Sequence, residues 1–319
     1  MVKPVTLKLE SVRMLTGAAR ELVFVAADAA KLAGFAPGAH VRFLLPEGER
    51  CYSLIDFDGE PQTDGAQRYR FAVLLEKEGT GGSRHMHGLG VGAEVSALPP
   101  HNDFALVPGK PALLIAGGIG VTPLISMASA LRQAGTPFRL HYAARTGAAM
   151  AYREEVERCF GENATLHFDD QPETALDIAA LLAGLEADWH IYVCGPKGLI
   201  EAVKAQAEVA GVASERVHVE LFSAAAVQAG DTAFEVEIKS TGQVFVVPPA
   251  KSIIDVLEEG GVDLVYDCRR GDCGICQTEV IAGVPDHRDV VLSDSEKAEG
   301  KLMQICVSRA KSARLVLDL

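Results

Sequence analysis

Aromatic residues are scarce in this sequence. Tryptophan, tyrosine and phenylalanine make up 6% of its 319 residues, and tryptophan occurs once. That leaves little surface on which bases could stack. Basic residues are outnumbered: 30 lysines and arginines stand against 43 aspartates and glutamates, a formal charge of −13. A nucleic-acid binder needs a basic face to displace counterions, so that class is excluded. Long apolar runs are missing as well. Stretches such as 111–116 fall far short of the roughly 20 residues that cross a bilayer. No apolar signal core follows Met1-Val2-Lys3-Pro4. The expectation is a soluble, cytoplasmic protein with neither a membrane nor a nucleic-acid partner. No repeat or low-complexity tract occurs. Apolar residues are present in ordinary measure, 48%, which excludes disorder throughout. At about 100–200 residues per domain, the length predicts two or three domains.

Three stretches of different rhythm follow one another. The first third carries short β-branched or alternating runs at 5–10, 21–26, 39–45, 50–57 and 69–75, punctuated by glycine and proline. This spacing predicts a β-barrel or sandwich. From residue 111, apolar strands at 111–116, 138–143, 164–168, 189–194 and 216–222 alternate with helical stretches at 122–134, 150–159, 174–184 and 197–210. That alternation predicts a parallel sheet covered on both faces. Residues 223–231 are small and polar and read as a linker. The last part opens with strands at 234–238 and 243–247 and a short helix at 252–258, followed by a cysteine-rich loop. The expected domains are therefore 1–107, 108–224 and 232–319.

Seven cysteines in a reducing compartment are not expected to form disulfides. Cys268, Cys273 and Cys276 have the spacing C-x4-C-x2-C, and Cys306 follows after 29 intervening residues. Four thiolates are what a [2Fe-2S] cluster needs, and the spacing is the plant-type ferredoxin pattern. Gly271 and Gly274 let the loop curl and turn its amides toward the sulfurs. The alternatives are buried cysteines or a structural zinc site, which more often uses paired knuckles. Cys159 reads as a packing residue on a helix face.

Four further strings carry polar groups suited to a nucleotide cofactor. Arg50-Cys51-Tyr52-Ser53 lies on a predicted strand. Arginine pairs with phosphate bidentately, and tyrosine offers a flat face and a hydroxyl. Alone, the string also reads as an amphipathic strand edge. Glu78-Gly79-Thr80-Gly81-Gly82-Ser83 exposes amides and hydroxyls before a helix expected near Ser83, a phosphate cradle or a plain hairpin loop. Gly117-Gly118-Ile119-Gly120-Val121-Thr122-Pro123 ends one strand and opens a helix. Thr122 is the expected N-cap and Pro123 the first helical residue. Cys194-Gly195-Pro196 closes another strand. Both turns belong at the carboxyl ends of parallel strands, where ligands bind. Arg145 after one strand suits a ribose 2′-phosphate, whereas Asp169-Asp170 after the next would repel it.

Together these strings resemble the phthalate dioxygenase reductase and vanillate O-demethylase reductase family over nearly the whole chain. The resemblance implies a multidomain fold: an antiparallel β-barrel for flavin, an α/β parallel-sheet nicotinamide domain and an α+β β-grasp ferredoxin domain. It implies an NADH-dependent oxidoreductase passing electrons from NADH through FMN to the cluster and on to a Rieske-type oxygenase component. Another soluble electron acceptor is the alternative. In the resembled family the glycine loop around Thr80 holds the FMN phosphate, so the resemblance implies FMN rather than FAD; no second motif to hold an adenine is seen. By the same resemblance, Arg50, Cys51, Tyr52, Ser53, Thr80, Gly81, Gly82 and Ser83 hold the flavin. Gly117, Gly118, Gly120, Thr122, Pro123, Cys194, Gly195 and Pro196 hold the nicotinamide, and Phe222 shields the flavin face. Ser53, Thr122 and Cys194 position and polarise, with Glu220 near the nicotinamide; Cys268, Cys273, Cys276 and Cys306 are the metal ligands. Arg269 and Arg270 in the cluster loop are expected to meet the oxygenase. A monomer is expected.

Overall fold

A computed structural model describes residues 3–28, 31–59, 65–76, 79–222, 228 and 230–319. Glu78, residues 60–64, and residues 223–227 and 229 of the expected linker lie outside the described residues. The chain divides into two compact units, Met1–Val219 and Glu220–Leu319.

The first unit begins with strands β1 (Val5–Met14), β2 (Ala19–Ala26), β3 (His40–Leu45), β4 (Gly48–Ser53) and β5 (Tyr69–Leu74), a short helix α1 (Gly82–Gly88) and strand β6 (Glu94–Ala97). They form one antiparallel sheet in the order β4-β3-β6-β1-β2-β5. The alternating apolar residues of β1, β2, β3 and β5 send Leu7, Leu9, Phe24, Phe43 and Phe71 into a common core. There Phe24, Phe43 and Phe71 meet at centroid distances of 5.1–6.0 Å, packing that adds about 0.5–1.5 kcal/mol per pair beyond area burial. The expected barrel is not closed among the described residues: the edge strands β4 and β5 are not neighbours in the sheet. The run expected at 50–57 stops as a strand at Ser53, and the chain then crosses with one backbone bond, Ile55 N to Arg70 O at 3.0 Å.

The same unit continues with β7 (Ala112–Gly117), α2 (Val121–Gln133), β8 (Phe138–Ala144), α3 (Arg153–Phe160), β9 (Ala164–Phe168), α4 (Ile178–Ala183), β10 (His190–Cys194), α5 (Lys197–Val209) and β11 (Val217–Glu220), whose last residue opens the second unit. The sheet order is β11-β10-β7-β8-β9, with β10, β7, β8 and β9 parallel. Every residue of β7 is buried, as a central parallel strand requires. Helix α3 starts three residues later than its apolar pattern suggests. Tyr152 at its N-cap takes φ 57, which no helical residue can adopt.

The second unit contains β12 (Phe234–Ile238), β13 (Val244–Val247), α6 (Ile253–Glu259), β14 (Gln277–Ala282), β15 (Pro285–Asp286), α7 (Asp294–Glu299), β16 (Leu302–Gln304), β17 (Arg309–Ala310) and β18 (Arg314–Leu317). Its main sheet runs β13-β12-β18-β14-β16, with β12 and β18 parallel at its centre and β15 paired to β17 separately. Ser252 and Asp255 close a capping box on α6, and Ile253, Ile254 and Leu257 enter the core with Val236 and Leu315. This is the expected β-grasp arrangement. Among the described residues, no helix is long and apolar enough to cross a membrane.

Candidate functional site

In the second unit the loop between α6 and β14 brings the predicted ligands together. The Cys268 thiol touches those of Cys273 and Cys306, and Cys276 touches Cys306. All four are free thiols. Cys276 and Cys306 are buried. The loop reaches this shape through left-handed residues at Arg269 (φ 53), Gly271 (φ 83) and Gly274 (φ 77). Gly271 has no room for a side chain, since a Cβ there would lie 2.6 Å from Val307. The amide of Arg270 donates to Cys268 Sγ at 3.3 Å, and that of Ile275 faces Cys273. Four converging sulfurs with amide donors around them fit the charge and ligand count of a 2Fe–2S group.

The two arginines of this loop are both paired within the second unit. The Arg269 guanidinium is held by Asp255 (2.8 Å), Glu258 (2.6 Å) and the Tyr266 hydroxyl (2.7 Å), and lies over the Tyr266 ring. It is a strut from the loop to α6. Arg270 turns inward, its side chain 11% exposed, between Glu220 (3.8 Å) and Asp272 (3.5 Å). The Asp272 carboxylate also accepts the Leu221 amide at 2.7 Å, and burial raises its pKa to about 7 against the pull of Arg270. Glu220 is therefore directed at the cluster loop, and the Phe222 ring is 41% exposed. The Arg269 side chain stays 43% exposed, so of the two only Arg270 is turned inward.

In the first unit, β7 and β10 are neighbours with Ala116 opposite Cys194, so the two glycine turns emerge side by side. They meet backbone to backbone. A Cβ on Gly120 would lie 2.3 Å from Cys194 O, one on Gly195 2.9 Å from Gly117 Cα, and one on Gly117 2.7 Å from Pro196 Cδ. Cys194 is fully buried. The expected N-cap role of Thr122 is not observed. A 3-10 turn at Gly118–Gly120 runs straight into α2, so Gly120 is the N-cap and the helix starts at Val121. The Thr122 hydroxyl donates instead to Ile119 O at 3.1 Å. Pro123 is the third helical residue, where an amide would have no helical partner in any case.

The flavin strings also converge. The Arg50 guanidinium donates to the Thr80 hydroxyl and to the carbonyls of Glu47 and Glu49. A Cβ on Gly82 would lie 2.6 Å from the Arg50 side chain, and Gly81 at φ 103 turns the chain into α1. Ser83 Oγ accepts the Glu76 amide at 3.1 Å, fixing the loop to the end of β5. Tyr52 packs edge-on against Phe43, and burial raises its hydroxyl pKa above the usual tyrosine range. Ser53 is buried and Cys51 half-buried. A hydroxyl and a fixed guanidinium beside glycine amides suit a phosphate monoester.

Residues 236–311 match the 2Fe-2S iron-sulfur cluster binding domain family. Residues 94–217 match the dimethylamine monooxygenase subunit DmmA-like N-terminal domain. The chain is 40% identical over 323 residues to phenoxybenzoate dioxygenase subunit beta of Ectopseudomonas oleovorans, covering 99% of this chain and 98% of that protein. It is 42% identical over 301 residues to vanillate O-demethylase oxidoreductase of Pseudomonas putida, covering 92% and 94%. A solved structure of phthalate dioxygenase reductase, described as modular for electron transfer from pyridine nucleotides to [2Fe-2S], superposes with a TM-score of 0.73 at 34% identity, over 99% of this chain and 98% of that one.

Proposed function

This chain belongs to the family of phthalate dioxygenase reductase and vanillate O-demethylase oxidoreductase, and from that premise we propose that it is the reductase component of a Rieske-type oxygenase, using NADH, FMN and a [2Fe-2S] cluster. One observation carries the reading: the mutual contact of the Cys268, Cys273, Cys276 and Cys306 thiols in a chain that also holds the paired glycine turns. When bound, a flavin takes two electrons from the nicotinamide and releases them singly to an iron–sulfur acceptor.

The chain's own residues bind and orient. Arg50 and Thr80 hold the flavin phosphate, with Gly81 and Gly82 leaving it room, and Tyr52 and Ser53 flank the ring. Gly117, Gly118, Gly120 and Cys194-Gly195-Pro196 shape the nicotinamide pocket, and Thr122 stiffens its floor through Ile119 O. Glu220 pairs with Arg270 of the cluster loop. NADH is favoured because the Asp170 amide bonds Arg145 O at 3.3 Å, which sets acidic residues beside the one arginine suited to a 2′-phosphate. The three main sheets support domains at 1–107, 108–224 and 232–319. Seven free cysteines suit a reducing cytoplasm, and a self-contained relay needs no second subunit, so a monomer is proposed.

The test is the purified protein's cofactor content and spectrum. The expected sample is red-brown, releases FMN, contains iron and acid-labile sulfide, and bleaches with NADH. A colourless sample containing zinc would overturn the reading.

A further inference from the structure

The chain between β4 and the described end of its following loop makes hydrogen bonds that a free loop would not. After Ser53 it leaves the strand ladder, and every backbone group that burial strips of water needs another partner. Leu54 is fully buried and Ile55 nearly so. Leu54 N donates to Ala39 O and Ile55 N to Arg70 O. The next two groups are satisfied by a single side chain on α2, which opens at Val121. Ser126 Oγ donates to Leu54 O at 2.7 Å and accepts the Asp56 amide at 2.9 Å. Ser126 is 2% exposed, so water does not substitute for it. Further along, Arg132 Nη2 donates to Phe57 O at 2.8 Å. Gly59, at φ 77, fits against α2 so closely that a Cβ would lie 2.2 Å from Ser129 O. Asp56 folds back to accept the amides of Asp58 and Gly59, both at 3.0 Å, which holds the segment in that shape.

Ser126 thus lies one helical turn beyond Thr122, on the same side of α2, and bonds the residue directly after Ser53. It joins the helix of the nicotinamide string to the end of the flavin strand through one buried and one part-buried hydrogen bond. We propose that Ser126 is a positioning residue: its hydroxyl sets the register of the flavin strand end against the nicotinamide helix. This rests on the functional reading above. Serine is a weaker helix former than alanine, so at an interior helix position its local preference does not explain its presence. A small error in register is costly, because misplacing reacting groups by about 1 Å can cost on the order of a hundredfold in rate.

The test compares the holoprotein with Ser126→Ala and Ser126→Thr. Three quantities are read: amide exchange in the 54–59 segment, the long-wavelength absorbance when a non-reducing tetrahydro-NADH analogue stacks on the oxidised flavin, and the rate constant of flavin reduction at saturating NADH against the half-saturating concentration. In S126A, exchange should rise by about tenfold or more and the stacking absorbance should weaken. The saturated rate constant should fall by about tenfold while half-saturation moves by less than about threefold. S126T keeps the hydroxyl and should restore all three. A purely structural role would lower the melting temperature and flavin content yet leave stacking and rate per bound flavin unchanged. That outcome overturns the proposal, as does equal impairment of S126A and S126T. If S126A does not fold, Ser126→Cys with its weaker donor takes its place under the same criteria. Should the parent protein bind FMN but fail to accept electrons from NADH, the functional reading falls; the exchange measurement still decides whether Ser126 pins the segment.

Discussion

Gly120 and Cys194 meet with no space between them: a Cβ on Gly120 would lie 2.3 Å from the Cys194 carbonyl oxygen. The φ of Gly120 is −63, an angle any residue adopts, so closeness alone demands glycine here. Gly118 is the converse case, with φ 55 and nothing within 4 Å of its Cβ position. Gly120→Ala should therefore force the β7 and β10 turns apart and destabilise the first unit by about 1–3 kcal/mol, with much weaker NADH binding. Gly118→Ala should cost only the left-handed strain, about 1 kcal/mol. Thermal melts and NADH titrations of the two variants would separate crowding from strain; equal losses would contradict the assignment.

Cys268 touches Cys273 and Cys306, and Cys306 touches Cys276 in turn. Cys268→Ser should remove the iron and sulfide while the first unit, whose core is its own, continues to bind FMN and accept electrons from NADH. The flavin spectrum would bleach with NADH as in the parent, whereas electron delivery to an iron–sulfur acceptor would be lost. Loss of flavin reduction as well would show that the units are not separable in function.

What could be read from sequence was whatever is local. The C-x4-C-x2-C spacing, the glycine turns and the α/β alternation each sit within one stretch of chain, and the structure brings Cys306 against Cys268 and Cys276. What could not be read depends on partners far away. Strand β6 is four residues with one β-branched member; it exists because β1 and β3 pair with it on either side. Ser126 reads as an ordinary polar helix residue, and its partners lie 70 and 72 positions earlier. Glu21, on β2, gave no signal either. It accepts the Tyr152 hydroxyl at 2.8 Å across 131 positions and pairs with Arg13 and Arg70. The pairing of the cluster-loop arginines could not be read either: Asp255 and Glu258 hold Arg269, which stays exposed, and Glu220 and Asp272 hold Arg270.

Arg269 combines a strained backbone with a side chain that holds it in place, and the two contributions can be separated. Arg269→Ala removes the contacts to Asp255, Glu258 and Tyr266 and keeps a Cβ at φ 53. Arg269→Gly removes the same contacts and relieves the backbone. R269G should therefore be more stable than R269A by about 1 kcal/mol, and both should lose cluster faster than the parent on dilution. Denaturant midpoints and bleaching of the cluster absorbance measure this. If R269A alone kept the parent's cluster lifetime, the strut would have no role.

Two histidine pairs in the nicotinamide sheet make its stability sensitive to acid. His167 Nδ1 is 2.6 Å from Thr174 O and must donate to it. Its Nε2 is then the acceptor for His141 Nδ1 at 3.0 Å, with the rings stacked. His190 and His218 repeat the arrangement at 2.9 Å, with His218 also stacked on Tyr192. Burial, then the neighbouring ring, lowers the pKa of both His141 and His218 from 6.5 to about 4. The folded state therefore binds fewer protons than the unfolded chain between those values. Their contribution is fully present above pH 6.5 and is lost as pH falls toward 4, by at most about 1.4 kcal/mol per pH unit for each histidine. His141→Gln keeps a polar side chain without a titrating proton, so its acid limb should be shallower than the parent's by up to that slope. Urea unfolding of the two proteins from pH 8 to pH 4 measures the difference, and parallel acid limbs would assign the acid sensitivity to other groups.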